Sequence, residues 1–292
     1  MRYLFICVFL TALCVMFAFS GTARASEVNV AEFTVGNVTV WAIADAIIEM
    51  NAGLFPDADP QAIAQYMPDG AAPASVAVFL VKTGDEVILI DTGFGNQSLF
   101  DGLEHIGVTP EQVTLILLTH MHRDHIGGLV RDGAKAFPHA GVLSSRYEHD
   151  FWNDERSAEL FPALSDSLEM AREMIALYGP SVETFEFDEM VVPGIRALDA
   201  RPHTPGHTLF MLESEGERML FFGDTLHAAA LQFPRPDINA QFDMGPEAAD
   251  TRIRILEMAA DENLAIAGAH LPFPAVGYVE RRAEGGFTFI TR

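Results

Sequence analysis

The sequence predicts an α/β or α+β protein in which sheets and helices pack as layers. Short apolar runs rich in Val, Ile and Phe recur and are bounded by Gly, Asp and Pro, as buried strands are. Helical stretches lie between clusters of these runs, so a layered sandwich fits better than an all-β barrel. The predicted strands cover residues 76–81, 87–90, 113–118, 208–212, 219–222, 264–269 and 287–290.

Two stretches carry the clearest helical pattern. In residues 163–178, apolar side chains recur at helical spacing from Leu164 to Ile175, and Gly179 followed by a proline predicts the end of the helix. Residues 247–260 form the second predicted helix. Strands and helices therefore alternate along the chain.

The first 25 residues have the pattern of a cleaved secretory signal peptide. Arg2 gives a positive start, residues 4–19 are almost continuously apolar, and residues 23–25 resemble a cleavage site. A membrane anchor is the alternative, but about 16 apolar residues are short for a span. We expect a periplasmic or secreted protein, free of the membrane after cleavage. Residues 26–292 should form one domain, because no linker or low-complexity tract divides them.

The composition excludes several classes of function. Both cysteines, Cys7 and Cys14, lie in the predicted signal, so the mature domain offers no thiolate nucleophile or ligand and no disulfide. The net charge of the full chain is −23, and such an acidic surface repels phosphate backbones. We therefore expect a small-molecule partner and no nucleic acid.

Residues 119–128, THMHRDHIGG, concentrate ligand-type side chains at the end of a predicted strand. His120 and His122, two positions apart, can converge on one ion, while Asp124 and His125 can face a second where a helix begins. Unrelated surface histidines are the alternative, but four ligand-type residues in six positions favour a metal site.

Three other predicted strands also end in a polar residue: Asp91, Asp224 and His270. Strand ends are rigid platforms that can hold functional side chains in place. Together with His120 they predict one site along one edge of the sheets.

With these motifs in this order, the sequence resembles the metallo-β-lactamase-fold hydrolases, whose signature is H-x-H-x-D-H. The resemblance covers most of the mature chain and implies a four-layer αββα sandwich. Besides THMHRDHIGG, it rests on DTG at 91–93, HTPGHT at 203–208, GDT at 223–225 and AHLPFP at 269–274.

The resemblance also implies roles for the ligand-type residues. It places one ion on His120, His122 and His207, a second on Asp124, His125 and His270, and Asp224 as the bridge between them. Ligands without sulfur suit two zinc ions, with manganese, iron or cobalt as alternatives. Asp91 is expected to orient a ligand histidine, and His203 to support one or to be structural.

Within this family the sequence resembles a secreted branch of methyl parathion hydrolases, lactonases and aryl-ester hydrolases. That branch implies a homodimeric enzyme that uses a metal-bound hydroxide to open lactones or to cleave aryl or carboxylic esters. Organophosphate triesters are the alternative substrates, and a non-catalytic metal- or ligand-binding protein is the alternative class. The resemblance to the branch rests on DFW at 150–152, VPGIRAL at 192–198, LHAAALQF at 226–233 and AHLPFPAVG at 269–277.

His227 bears on the choice of substrate. Lactonases of this branch carry a tyrosine three residues after the bridging aspartate, and methyl parathion hydrolases an aliphatic residue. This sequence has His227 there, and a neutral imidazole can donate a hydrogen bond to a carbonyl oxygen or a departing alkoxide. We expect Asp224 and His227 to be catalytic and the substrate to be carboxylic; a pocket-wall histidine is the alternative.

Five aromatic residues are candidates for an apolar substrate pocket, although ordinary core packing explains them as well. They are Phe151, Trp152, Phe161, Phe233 and Phe242.

Overall fold

The strands of the described chain, residues 28–292 of a computed structural model, form two seven-stranded sheets and one short hairpin. The predicted signal peptide, residues 1–25, lies outside the described residues. In chain order the strands are β1 (Val30–Val35), β2 (Val38–Asn51), β3 (Ala71–Thr83), β4 (Glu86–Ile90), β5 (Leu115–Leu117), β6 (Val130–Arg131), β7 (Ala134–Lys135), β8 (Gly141–Ser145), β9 (Val182–Phe185), β10 (Met190–Val192), β11 (Ile195–Asp199), β12 (Thr208–Ser214), β13 (Glu217–Phe221), β14 (Ala265–Ala267), β15 (Val276–Arg281) and β16 (Phe287–Thr291).

The helices connect and cover these sheets. Among residues 28–292, none of them is both long and apolar enough to cross a lipid bilayer. The α-helices are α1 (Pro60–Tyr66), α2 (Gln97–Ile106), α3 (Arg123–Ile126), α4 (Arg146–Asn153), α5 (Glu155–Leu160), α6 (Ser165–Tyr178), α7 (Ala229–Gln232) and α8 (Ala248–Asp261). Short 3₁₀ turns occupy Ala52–Leu54, Pro110–Gln112, Gly127–Leu129, Pro162–Leu164 and Gly179–Ser181.

Each sheet contains a parallel pair of strands that a helix connects. The first sheet has the order β1-β2-β3-β4-β5-β8-β9, and the second runs in chain order from β10 to β16. Strand β4 pairs in parallel with β5 across α2, and β13 pairs in parallel with β14 across α8. The carboxyl ends of parallel neighbours meet at the same edge of a sheet, so each sheet brings two strand ends together.

Strand β3 shows how the layers are separated. Successive side chains of a strand point to opposite faces. Accordingly Ala77, Phe79 and Val81 join the apolar core that the two sheets share. Val78 and Leu80 join a second core, where α2 and α6 cover the first sheet.

The predicted fold class, a layered α/β sandwich, is confirmed. The predicted strands and both predicted helices are present with small shifts at their ends. Strands β1 and β2, the strands from β6 to β11, and β15 were not predicted. Strand β2 is interrupted by a bulge between Ala44 and Ala46, where the intervening Asp45 accepts a hydrogen bond from the backbone N–H of Phe94. A buried charge inside an apolar run hides the strand pattern from sequence analysis.

Candidate metal centre

Four strand ends meet along one edge of the sandwich and carry the candidate site. Asp91 follows β4, and His120 lies just beyond β5. Asp224 follows β13, and His270 follows β14. The two parallel pairs therefore bring into one place residues that are separated by well over half of the chain in sequence.

Three imidazoles form the first group of the site: His120, His122 and His203. The Nδ1 atom of His122 lies 3.0 Å from Nε2 of His120 and 3.1 Å from Nε2 of His203. The two Nε2 atoms lie 3.3 Å apart. Tetrahedral zinc with bonds of about 2.0–2.1 Å separates its nitrogen ligands by about 3.3 Å. The spacing of the three nitrogens therefore fits one ion.

The second group consists of Asp124, His125 and His270, on the opposite side of Asp224. Oδ2 of Asp124 lies 3.3 Å from Nε2 of His270 and 3.9 Å from Nε2 of His125. Two imidazole nitrogens and a carboxylate oxygen form a second donor set suited to a divalent ion.

The Asp224 carboxylate lies between the two groups. Its Oδ1 is 3.1 Å from Nε2 of His125, and its Oδ2 is 3.5 Å from Nε2 of His203 and 3.1 Å from Nε2 of His270. Buried polar atoms normally have a hydrogen-bond partner. Oδ1 of Asp224 and Nε2 of His125 are buried and lie 3.1 Å apart without hydrogen-bond geometry, which fits two atoms that both face a metal ion.

Charge in the site is arranged to hold cations. Burial lowers the pKa of the His122 imidazole to about 3, so this side chain is neutral, as a metal ligand must be. Burial also opposes the charged form of His270, but the nearby Asp224 and Asp124 carboxylates outweigh burial and raise its pKa to about 10. The second group therefore attracts positive charge strongly.

Partners on the far side of the histidine rings fix the orientation of the rings in both groups. The Nδ1–H of His125 donates to Asp91 at 2.8 Å, and Nδ1–H of His270 donates to the Ser75 carbonyl at 3.0 Å. Nδ1 of His203 lies 2.9 Å from the Asp243 carboxylate. Such partners fix the ring and leave the other nitrogen free for an ion.

An apolar cleft of about 380 Å³ opens beside the two groups. Its apolar walls come from Ile48, Met50, Phe94, Leu164 and Phe242. His227 also lines the cleft. Its Nε2 lies 3.3 Å from Oδ2 of Asp224 without hydrogen-bond geometry, and its Nδ1 has no hydrogen-bond partner among residues 28–292. Burial lowers the pKa of His227, so its imidazole is neutral and keeps one N–H available.

Comparison with known proteins identifies the family. The model of the metallo-beta-lactamase superfamily matches residues 71–270. The chain belongs to this superfamily. Among solved structures it is similar to the hydrolase AbOPH of the beta-lactamase superfamily, with a TM-score of 0.86 and 30% identity over 91% of this chain and 98% of that one.

Other superfamily members with similar sequences or structures are lactonases. The dizinc quorum-quenching lactonase AidC, solved with the product N-hexanoyl-L-homoserine, has a TM-score of 0.82 and 25% identity over 90% of this chain and 97% of that one. An N-acyl homoserine lactonase from Bacillus sp. is 29% identical over 162 residues, which cover 47% of this chain and 58% of that protein. The chain thus spans little more than half the length of this curated relative.

His207, predicted to bind the first ion, lies next to the first group, with its ring centroid 5.3 Å from those of His120 and His203. Nδ1–H of His207 donates to the Ala200 carbonyl at 3.2 Å, so Nε2 carries the lone pair. That lone pair accepts the backbone N–H of Asp224 at 3.1 Å. Both nitrogens thus have hydrogen-bond partners in this structure, and His203 from the same motif lies beside His120 and His122. The role of His207 as a metal ligand stays a prediction.

Four of the five aromatic residues predicted to line the substrate pocket lie away from the cleft. Of the five aromatic residues, only Phe242 lines the cleft, where its ring centroid lies 5.5 Å from that of His227. Phe151 and Phe161 pack on each other at 5.4 Å, and Phe233 stacks on Phe289 in the core. Trp152 is fully buried behind His122.

The cleft walls and two buried carboxylates were missed by sequence analysis. The walls Ile48 and Met50 belong to the unpredicted strand β2, and Leu164 precedes α6. Asp243 and Glu148 lie in no recognisable motif. Only their burial beside the histidine loops distinguishes them from the many exposed acidic residues of this chain.

Proposed function

We propose that this superfamily member is an exported dinuclear-metal hydrolase that opens lactones or cleaves aryl or carboxylic esters. The observation that carries the proposal is the neutral imidazole of His227 in an apolar cleft beside two groups of metal-type ligands. The lactonase activity named for AidC and for the Bacillus relative supports this choice of substrate.

The ligand residues form two sets, one for each of two metal ions. His120, His122 and His203 would hold the first, Asp124, His125 and His270 the second, and Asp224 would contact both. Bound as a pair, two divalent ions polarise a carbonyl oxygen and lower the pKa of water to near neutrality. Zinc suits the nitrogen and carboxylate donors, and AidC is a dizinc enzyme.

The protein side chains bind and orient the substrate. The apolar walls accept an acyl or aryl group, which leaves the ester bond at the polar floor of the cleft. There the His227 N–H can donate to the carbonyl oxygen or to the departing alkoxide. The Asp224 carboxylate, 3.3 Å from Nε2 of His227, can accept a hydrogen bond from that imidazole and so orient it.

A substrate panel tests the proposal. The metal-replete protein should show a higher kcat/KM on an aryl lactone or aryl ester than on a phosphotriester, and a chelator should abolish all activity until metal is restored. His227→Leu should lower kcat/KM on lactones by about 100-fold, as loss of one proton-donating group does, and should affect phosphotriesters less.

Three results of the panel would contradict the proposal. A dominant phosphotriester rate would favour organophosphate hydrolysis instead. Equal lactone hydrolysis by the metal-free protein would exclude the metal mechanism. Two bound equivalents of metal with no turnover across the panel would favour a non-catalytic binding protein.

Export and assembly need separate measurements. Residues 1–25 support export, and a mature protein recovered outside the cytoplasm should begin at Ser26. An uncleaved N-terminus in that fraction would contradict cleavage. The homodimer stays a prediction from the family resemblance, which sedimentation analysis of the purified protein can test.

A further inference from the structure

Glu148, near the start of α4, is a fully buried carboxylate that has no place in the proposed reaction. It accepts four hydrogen bonds. The backbone N–H groups of Met121 and Gly206 and the hydroxyl of Thr204 each donate at 2.8 Å, and the indole N–H of Trp152 donates the fourth.

The two oxygens of Glu148 serve different loops. Oε1 accepts from Met121, which lies between His120 and His122. Oε2 accepts from Thr204 and Gly206, in the loop that carries His203. One carboxylate therefore joins the two backbone segments that carry the three imidazoles of the first group.

The surroundings of Glu148 require a charged acceptor. A buried carboxylate is costly unless hydrogen bonds compensate it, and here all four partners are donors. A glutamine would turn its amide NH₂ toward two of those donors and leave them unsatisfied. The pattern therefore selects glutamate over its neutral isostere.

Close backbone packing holds the second loop against α4. A Cβ atom on Gly206 would lie 2.2 Å from the backbone nitrogen of Glu148, so only glycine permits this approach. The hydroxyl of Ser145, which caps α4, also donates to the Gly206 carbonyl at 2.8 Å. The loop of His203 is thus docked on α4 through two side chains and one glycine.

The second group has no contact of this kind with Glu148. His125 is oriented by Asp91, and His270 by the Ser75 carbonyl. Asp124 follows His122 on α3 and faces His270. Disturbing Glu148 should therefore move the ligands of one ion and spare those of the other.

We propose that Glu148 is a positioning residue that sets the affinity of the first group for its metal ion and leaves the second group unaffected. The inference rests on the proposed two-metal centre. If the wild-type protein fails to bind two ions, the proposed function is wrong; if it binds two, the behaviour of Glu148 variants decides this inference alone.

Metal content at controlled free zinc, buffered by a competing chelator, provides the test. Wild type should hold two equivalents. Glu148→Ala should lose about 10–100-fold in affinity for one ion, as removal of an outer partner of a metal site does, and should keep the other ion. Full retention of both ions, or equal weakening of both, would overturn the proposal.

Double variants assign the lost ion to a group. Glu148→Ala combined with His122→Ala should still hold one equivalent, because both changes act on the first group. Glu148→Ala combined with His270→Ala should hold none, because each group is then damaged. The reverse pattern would place the effect of Glu148 on the second group and contradict the proposal.

A milder variant keeps the proposal testable if Glu148→Ala does not fold. Thr204→Val removes one of the four donors while it keeps the volume of the side chain, and it should lower the affinity for the first ion by about five-fold. Ser157→Ala is a matched control, since it breaks a hydroxyl bond to the Phe151 carbonyl in the same region without touching either loop. Unchanged zinc affinity in a folded Thr204→Val would contradict the proposal even if Glu148→Ala does not fold.

Discussion

The two histidine loops of the site differ in how directly their sequence predicts their geometry. In residues 119–128, all four predicted ligands, from His120 to His125, reach the two groups. In residues 203–208, the structure brings His203 to the first group and leaves His207 behind it.

The backbone around each loop explains the difference. The first loop leaves β5 and enters α3 at once, so its side-chain directions follow from two regular elements. The second loop is closed at its base, where Asp199 pairs with Thr208 and the Ala200 N–H donates to the His207 carbonyl at 3.0 Å. His207 therefore belongs to the base of the loop, and His203 to the part that projects. A ligand motif alone does not show which of its histidines projects.

The largest expected effect comes from exchanging the two histidines of the second loop for alanine. His203→Ala should lower kcat/KM by more than about 100-fold, because losing a ligand exceeds the 10–100-fold cost of losing an outer partner. His207→Ala should retain metal and most activity but lower the free energy of unfolding by about 1–3 kcal/mol, since the buried N–H of Asp224 loses its acceptor. Kinetics, metal analysis and thermal melts compare the two variants. Loss of metal in His207→Ala but not in His203→Ala would instead identify His207 as the ligand of the first ion.

A smaller effect on metal affinity is expected from changing Asp243, the carboxylate that contacts His203. Asp243→Asn should weaken metal binding by about 10–100-fold, because the charged partner of the His203 Nδ1 atom is lost. Asp237→Asn is the matched control, as its ion pair with Arg235 is largely exposed and contributes little. Zinc titration measures both variants. Equal affinities in Asp243→Asn and wild type would show that the second loop orients His203 without this carboxylate.

The smallest expected effect is a difference in stability between two variants of His207, which tests its hydrogen bond to Asp224. In His207→Gln, the side-chain oxygen can replace Nε2 as the acceptor for the Asp224 N–H, so this variant should be about 1 kcal/mol more stable than His207→Ala. Denaturant unfolding measures the difference. If glutamine is no better than alanine, the hydrogen bond to Asp224 does not explain why a histidine lies at this position.

Sequence analysis predicted the fold class and most of the residues that the structure brings into the two groups, because those features are local. Strand periodicity, the tight H-x-H-x-D-H spacing and the polar strand ends at Asp91, Asp224 and His270 can all be read within short windows. It did not predict β2, because Asp45 interrupts its pattern, nor the cleft walls Ile48 and Met50, which lie on that strand.

By itself, the sequence determined the superfamily, the layered architecture and a chemistry of imidazole and carboxylate ligands. Only the tertiary structure decided that His203 lies beside His120 and His122, that Phe242 rather than Trp152 faces the cleft, and that Glu148 joins the two loops. These outcomes depend on how distant segments pack and on which hydrogen-bond partners remain for each buried atom. Local spacing contains neither kind of information.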